Sequence, residues 1–361
     1  MNTAFDVAPI DCDLHPAVPG CMALLPYLDG HWREEITTRG LDNLDLALWP
    51  RGAPLTARPD WRPAPGTKDG LPGGSLEALR AQVLEPFGTG IGILNPLFGA
   101  PALHNVDMAA ALCRATNDWV AAEWLDREPR LRAGILVPVE DPGLAVEEIE
   151  RRAGDRRFVQ VLLLGAAETL LGRRVNWPIF EAAQRHGLPV ALQVASSTRH
   201  APSANGWPTY LIEDHVNFAQ TFQSGLLSMI AEGVFTKAPR LKVVLMGAGV
   251  GWVPHFIWRG TKEWRALRRE VPWVDRSPAE ILREHVRISV QPIDAPPDPE
   301  DLAVLLEMIG GDDLLLFATD WPHWRFDGTD ALPPGLPDGL RHRVLRGNAL
   351  ETYPRLKETL Q

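Results

Sequence analysis

Three side chains near the two ends of the sequence are of types that bind a divalent metal ion. Asp13 and His15 come at the end of a short apolar run that begins at Ala8, and the alternation of side chains along a strand places both on one face. Asp320 follows another apolar run, where a charged group is costly unless it is paired or binds a metal. Two carboxylates and one imidazole predict a site for one divalent ion, with Zn²⁺ as the expected ion and Mn²⁺ or Fe²⁺ as alternatives.

Eight short apolar runs alternate with amphipathic stretches, and this is the order that a (β/α)₈ TIM barrel requires. The runs cover residues 8–13, 90–95, 133–139, 158–165, 190–195, 241–246, 286–292 and 314–319. A doubly wound sheet is the competing fold, but no GxGxxG follows the first run. Because the first and last strands of a closed barrel are neighbours, Asp320 is expected to face the same point as Asp13 and His15.

The chain is predicted to form a single barrel domain over residues 1–361, with a Pro/Gly-rich insertion at the rim. This insertion is expected to cover about residues 32–85, after the first strand. Its least regular part is the segment 52–74, GAPLTARPDWRPAPGTKDGLPGG. Such loops lie at barrel rims, where they shape a pocket or a subunit contact.

Composition excludes several classes of protein. The 361 residues include 36 Lys and Arg against 46 Asp and Glu, a net charge of −10, which argues against nucleic-acid binding. No apolar run approaches the roughly 20 residues of a membrane-spanning helix. The first residues lack the pattern of a secretory signal, so a cytoplasmic location is expected. Three cysteines without CxxC spacing predict no disulfide framework.

Five segments, in this order, resemble the amidohydrolase-related family of the metal-dependent amidohydrolase superfamily. They are IDCDLHP, GLPVALQV, PRLKVVLMGAGVGWVP, LLLFATDWPHW and GNALETYPRL, between residues 10 and 356. The resemblance implies a TIM barrel with a divalent metal, and hydrolysis of C–N or C–O bonds or decarboxylation of aromatic acids. Asp13 and His15 match the first-strand ligands of this family, and Asp320 matches its eighth-strand Asp. His323 belongs to the family's DxPH element and would face the pocket, where it or Asp320 would move a proton.

Two positions depart from the family pattern. Gln193 stands where the fifth strand usually provides a His ligand, and Gly247 stands where the sixth strand usually provides an acidic or imidazole side chain. A glutamine oxygen is a weak neutral ligand, and glycine has no side chain. We therefore expect at most one ion, completed by Gln193 or by His200 from the loop after the fifth strand.

The remaining alternatives concern the roles of these residues. A purely structural interpretation has Asp13 capping a turn, His15 hydrogen-bonded at the rim and Asp320 capping the next helix. Trp252, Trp321 and Trp324 are predicted to line an apolar substrate cleft, although packing in the core would explain them equally well.

Two functional hypotheses follow from this pattern. The first is a metal-dependent hydrolase or decarboxylase that acts on a small organic acid or amide. The second is a catalytically weakened subunit, paired in a hetero-oligomer with an intact paralogue, including a non-haem iron or manganese oxygenase built on the same barrel. In both, the chain binds a small-molecule substrate and forms a homo- or hetero-oligomer.

Overall fold

Eight parallel strands form one sheet in sequence order in the computed structural model. The structure describes residues 5–42, 44, 59–62, 71–193, 201, 203, 206–323 and 331–359. The strands are β1 (Ile10–Leu14), β2 (Ile91–Leu94), β3 (Leu131–Leu136), β4 (Phe158–Leu164), β5 (Val190–Gln193), β6 (Val243–Met246), β7 (Val286–Ser289) and β8 (Leu315–Leu316). Every strand residue is buried, as expected when helices cover a parallel sheet.

Hydrogen bonds between β1 and the chain that follows β8 close this sheet into a barrel. The amide of Cys12 donates to the carbonyl of Phe317 at 2.9 Å, and the amide of His15 donates to the carbonyl of Trp321 at 2.7 Å. Leu14 also forms a parallel bridge with Trp321. The predicted (β/α)₈ TIM barrel, with its first and last strands adjacent, is therefore confirmed.

Two of the helices that connect the strands show a strong capping signal. Asp141 caps the amide of Leu144 at 3.0 Å, Asp298 caps that of Glu300 at 3.0 Å, and a proline follows each cap at the first helical position. Within the described residues the helices are α1 (Cys21–Leu24), α2 (Gly30–Arg39), α3 (Leu76–Leu79), α4 (Val106–Val120), α5 (Pro142–Arg152), α6 (Trp177–Arg185), α7 (Leu211–Ala231), α8 (Val234–Lys237), α9 (Val253–Leu267), α10 (Pro278–His285), α11 (Pro299–Ile309), α12 (Asp338–His342), α13 (Asn348–Thr352) and α14 (Pro354–Thr359).

Helices α1, α2 and α3 lie between β1 and β2, in and around the predicted rim insertion. Segments 45–58 and 63–70 of that insertion fall outside the described residues, so its boundaries stay a prediction. In the part of the chain that the structure describes, no helix is long and apolar enough to cross a membrane.

Arg355 attaches helix α14 to the end of the barrel at which the strands begin. Arg355 is 2% exposed, and its guanidinium donates to the main-chain carbonyls of Phe158 at 2.6 Å, Ala153 at 3.1 Å and His186 at 3.2 Å. Burial lowers the pKa of Arg355 to about 10, which leaves the side chain charged at neutral pH. The guanidinium therefore satisfies several buried carbonyl groups at once.

Replacing this guanidinium by an apolar side chain should destabilise the fold. We expect Arg355→Met to lower the free energy of unfolding by about 3 kcal/mol, because the buried acceptors lose their donor. Urea unfolding followed by circular dichroism measures the change. Arg341→Met, at an exposed position of α12, is the matched control and should change stability by less than about 0.5 kcal/mol. Equal stability of the two variants would contradict this assignment.

Candidate metal centre

Asp13, His15 and Asp320 converge at the carboxyl end of the barrel, where β1 ends and the chain leaves β8. One ligand atom from each of the three lies within 4.8 Å of the other two. His15 Nε2 is 2.9 Å from Asp320 Oδ1 and 3.2 Å from Asp13 Oδ1. The side chains are buried, with 0% of Asp13, 4% of His15 and 3% of Asp320 exposed. The structure thus brings together the three residues that the sequence predicted as ligands.

A change of register in β1 separates Asp13 from its neighbour Asp11. Asp11 pairs with Gly92 and Leu14 pairs with Leu94, so β1 has one residue more than β2 over this interval. The Asp11 carboxylate accepts hydrogen bonds from the amide of Thr319 at 3.1 Å and from its hydroxyl at 2.7 Å. Burial raises the pKa of Asp11 to about 7, although the bonds from Thr319 lower it. Asp11 therefore joins β1 to the end of β8, and Asp13 is the carboxylate that faces His15.

The backbone at Asp320 directs two side chains toward His15. Asp320 has a φ of 56°, in the left-handed region that aspartate tolerates better than most residues. Its carbonyl accepts a hydrogen bond from the amide of His323 at 2.7 Å. The resulting turn places the His323 ring 5.5 Å from the His15 ring, measured between centroids. His323 therefore lies beside the predicted ligands, within the same end of the barrel.

The electrostatics of the cluster favour a cation between the carboxylates. Burial alone would lower the pKa of His15, but the charge of Asp13 and hydrogen bonds to Asp13 and Asp320 raise it well above its usual range. Among the described residues no group donates a hydrogen bond to the buried Asp13 Oδ2. Metal coordination would satisfy this oxygen, and two carboxylates with one imidazole suit a divalent ion. The residues present therefore fit a mononuclear site.

The ends of β5 and β6 contribute no charged side chain and no imidazole to the site at Gln193 and Gly247. Gln193, the last residue of β5, is buried, and no described residue donates to its Oε1. Gly247, directly after β6, has a φ of 72°, and its amide donates to the hydroxyl of Ser289 at 2.9 Å. This end of the barrel thus presents an amide side chain and a main-chain turn. Coordination by Gln193 stays a prediction, and His200 lies outside the described residues.

Two of the tryptophans predicted for the substrate cleft are buried. Trp321 is 0% exposed, donates its indole N–H to Gln82 Oε1 at 2.7 Å and packs edge-on against Trp124. Trp252 is 9% exposed and donates to the carbonyl four residues earlier at 3.0 Å. Core packing accounts for both positions, and their contact with substrate stays a prediction. Trp324 lies outside the described residues.

Asn95 and Gln160 are functional candidates that the sequence reasoning missed. Asn95 follows β2 and contacts both Asp13 and His15, and Gln160 in β4 contacts Asn95. Each had a signal in the sequence. Asn95 is a polar residue at the end of an apolar barrel strand, and Gln160 is a lone polar residue within the buried run FVQVLLL.

The closed barrel and its buried carboxylate–imidazole cluster define a TIM-barrel protein with a candidate mononuclear metal centre. The chain belongs to the amidohydrolase family, whose sequence model matches residues 10–355. The resemblance found in the sequence is therefore confirmed over nearly the whole chain.

Individual relatives are more distant. Gamma-resorcylate decarboxylase from Rhizobium sp. is 26% identical over 271 residues, which cover 70% of this chain and 78% of that protein. The structure of 5-carboxyvanillate decarboxylase from Sphingomonas paucimobilis matches with a TM-score of 0.69 and 18% identity over 97% of this chain and 99% of that chain. A dihydroxybenzoic acid decarboxylase from Polaromonas sp., with bound manganese and 2-nitroresorcinol, matches with a TM-score of 0.65 and 20% identity over 96% and 97%. The two solved structures share the fold of this chain.

Proposed function

We propose that the protein is a metal-dependent decarboxylase of a hydroxylated aromatic carboxylic acid. The observation that carries this proposal is the buried cluster of Asp13, His15 and Asp320 at the carboxyl end of a barrel of the amidohydrolase family. The names of the curated relatives, which are decarboxylases of aromatic acids, supply the reaction class. Mn²⁺ is the favoured ion, because a related structure contains manganese, and this replaces the expectation of Zn²⁺.

Asp13, His15 and Asp320 would hold the ion, and Asp320 or His323 would move the proton. A bound divalent ion would position the substrate's carboxylate and take up negative charge that develops during the reaction. Loss of CO₂ requires a proton on the ring carbon that carries the carboxylate. The C–C bond then breaks, and its electron pair restores the aromatic ring. In this scheme Asp320 or His323 delivers the proton to that carbon, and burial of the cluster keeps competing water away.

The ends of β5 and β6 contribute no additional base to the site. A hydrolase needs a water molecule activated by a ligand or base that faces the substrate. Gly247 supplies no side chain at the end of β6, and Gln193 at the end of β5 is not a base. Protonation of a ring carbon followed by loss of CO₂ needs no nucleophilic water. The reduced set of side chains is therefore compatible with the decarboxylase chemistry.

We also propose that the chain acts as a subunit of an oligomer. Ile212, Val216 and Leu227 on α7 are 72%, 71% and 48% exposed, and Trp258 on α9 is 58% exposed. Of these four side chains, Leu227 also lines a cavity of about 530 Å³ that residues of α7 and α9 enclose. Exposed apolar surface of this kind is typical of protein–protein contacts. The alternative of a weakened subunit paired with an intact paralogue stays a prediction.

Turnover of hydroxybenzoic acids tests the proposed reaction. We expect purified protein loaded with Mn²⁺ to release CO₂ from a 2-hydroxy- or 2,6-dihydroxybenzoic acid, and to lose this activity on treatment with EDTA. Benzoic acid lacks the neighbouring hydroxyl group and is the matched control substrate. Release of amine or alcohol from a panel of amides and esters, without CO₂ release from any acid, would contradict the proposal. Light scattering should accompany the assay, so that the subunit composition of the active species is known.

A further inference from the structure

We propose that Asn95 is a positioning residue that fixes Asp13 and His15 in the geometry of a metal site, and that Gln160 fixes Asn95. The inference rests on the metal site of the proposed function, and it concerns two residues outside the proposed ligand set. The contacts run through the barrel interior from β1, past the end of β2, to β4. Each step is a direct hydrogen bond between buried groups.

The first step joins Asn95 to both ligands from β1. Its side-chain Nδ2 donates to Asp13 Oδ1 at 3.0 Å and to the carbonyl of Cys12 at 3.2 Å. Its main-chain carbonyl accepts from His15 Nδ1 at 2.9 Å. Asn95 is itself 0% exposed. One residue therefore orients the carboxylate through its side chain and the imidazole through its backbone.

The bond to the imidazole decides which ring nitrogen is available to a metal. A carbonyl oxygen can only accept, so His15 Nδ1 must carry a hydrogen when it contacts Asn95. Nε2 is then the nitrogen that can bind a metal, and it is also the nitrogen that lies 2.9 Å from Asp320 Oδ1. Metal-binding histidines generally have the second nitrogen held in this way.

The second step fixes the orientation of the Asn95 amide. Gln160 Nε2 donates to Asn95 Oδ1 at 2.7 Å, so the oxygen of Asn95 points toward β4 and its NH₂ group points toward Asp13. A rotated amide would instead present its oxygen to the Asp13 carboxylate, and two acceptors would then face each other. Gln160 is 0% exposed, and water therefore does not replace it easily.

A glycine in β3 provides the space for this pair. A Cβ atom at Gly134 would lie 3.0 Å from Asn95 Oδ1 and 3.4 Å from the Gln160 side chain. It would also lie 3.2 Å from Leu162. Because these neighbours are buried, a side chain at position 134 would press against the amide oxygen of Asn95 and against Leu162. Glycine at position 134 of β3 therefore leaves room for the hydrogen bond between Asn95, after β2, and Gln160, in β4.

Metal affinity tests the inference independently of catalysis. We expect Asn95→Ala to raise the Kd for Mn²⁺ by about 10- to 100-fold, and Gln160→Leu to raise it by about 10-fold. The signal of free Mn²⁺ in electron paramagnetic resonance gives the affinity. The absorption spectrum of Co²⁺-loaded protein reports the ligand geometry and should change in both variants. Thr89→Val removes a buried hydroxyl at the opposite end of β2 and should leave both readouts unchanged.

The possible failures are distinguishable. Wild-type Mn²⁺ affinity and an unchanged Co²⁺ spectrum in both Asn95→Ala and Gln160→Leu would overturn the inference while leaving the proposed function intact. Wild-type protein that binds no Mn²⁺ would overturn the proposed metal site itself. If Asn95→Ala does not fold, Gln160→Leu decides the question, because it leaves both direct contacts of Asn95 with Asp13 and His15 available.

Discussion

Replacing Asp320 by asparagine is expected to lower kcat/KM for decarboxylation by about 10³-fold or more. The substitution keeps the size of the side chain but removes its negative charge, which lies 2.9 Å from His15 Nε2. It also removes one of the two side chains proposed to move the proton, and loss of a general acid alone costs about 10²- to 10⁴-fold. Weaker metal binding adds to this loss, since one of the two anionic ligands becomes neutral.

The metal content of Asp320→Asn separates these two contributions. Protein that keeps its Mn²⁺ and loses turnover assigns the effect to proton transfer, whereas loss of both assigns it mainly to coordination. Asp298→Asn is the matched control, because asparagine caps a helix as well as aspartate does and Asp298 lies at the exposed start of α11. This control should keep full activity. An Asp320→Asn variant with activity near that of wild type would exclude Asp320 from the chemistry.

The barrel could be predicted from sequence because each buried strand is a short apolar run between two amphipathic segments. The ends of the strands were harder to place. The last run was expected to continue to Thr319, but β8 covers Leu315–Leu316. The reason is that Thr319 donates its amide and hydroxyl to the Asp11 side chain, and the left-handed backbone at Asp320 then turns the chain. Such side-chain competition for backbone groups leaves no periodic signal.

The candidate site could be predicted in its residue types but not in its contacts. Asp13, His15 and Asp320 were identifiable because barrel strands end at one rim. The role of Asn95 depends partly on its main-chain carbonyl, which every residue possesses, and on the register between β1 and β2. Trp321 has a residue type common in binding clefts, yet it is 0% exposed and its indole is directed to the half-buried Gln82. Residue type alone does not give side-chain direction.

Removal and readdition of metal should show one essential ion per chain. EDTA treatment is expected to reduce turnover to background, and about one equivalent of Mn²⁺ should restore it, because Asp13, His15 and Asp320 supply two anionic oxygens and one nitrogen. A second ion would need further ligands from the fifth and sixth strands. Gly247 provides none, and its φ of 72° makes a larger side chain there strained.

The same reasoning predicts that the affinity for this one ion is limited by Gln193. We expect Gln193→His to lower the Kd for Mn²⁺ if the side chain at the end of β5 completes the site, since imidazole is a stronger ligand than a neutral amide oxygen. Gln184→His, in α6 and away from the rim, is the control and should leave the Kd unchanged. Elemental analysis gives the number of metal ions per chain. It should be carried out on the protein purified alone and on the protein co-expressed with any neighbouring paralogue. Two ions per wild-type chain would refute the prediction of a single ion and the interpretation of Gln193 and Gly247 on which it rests.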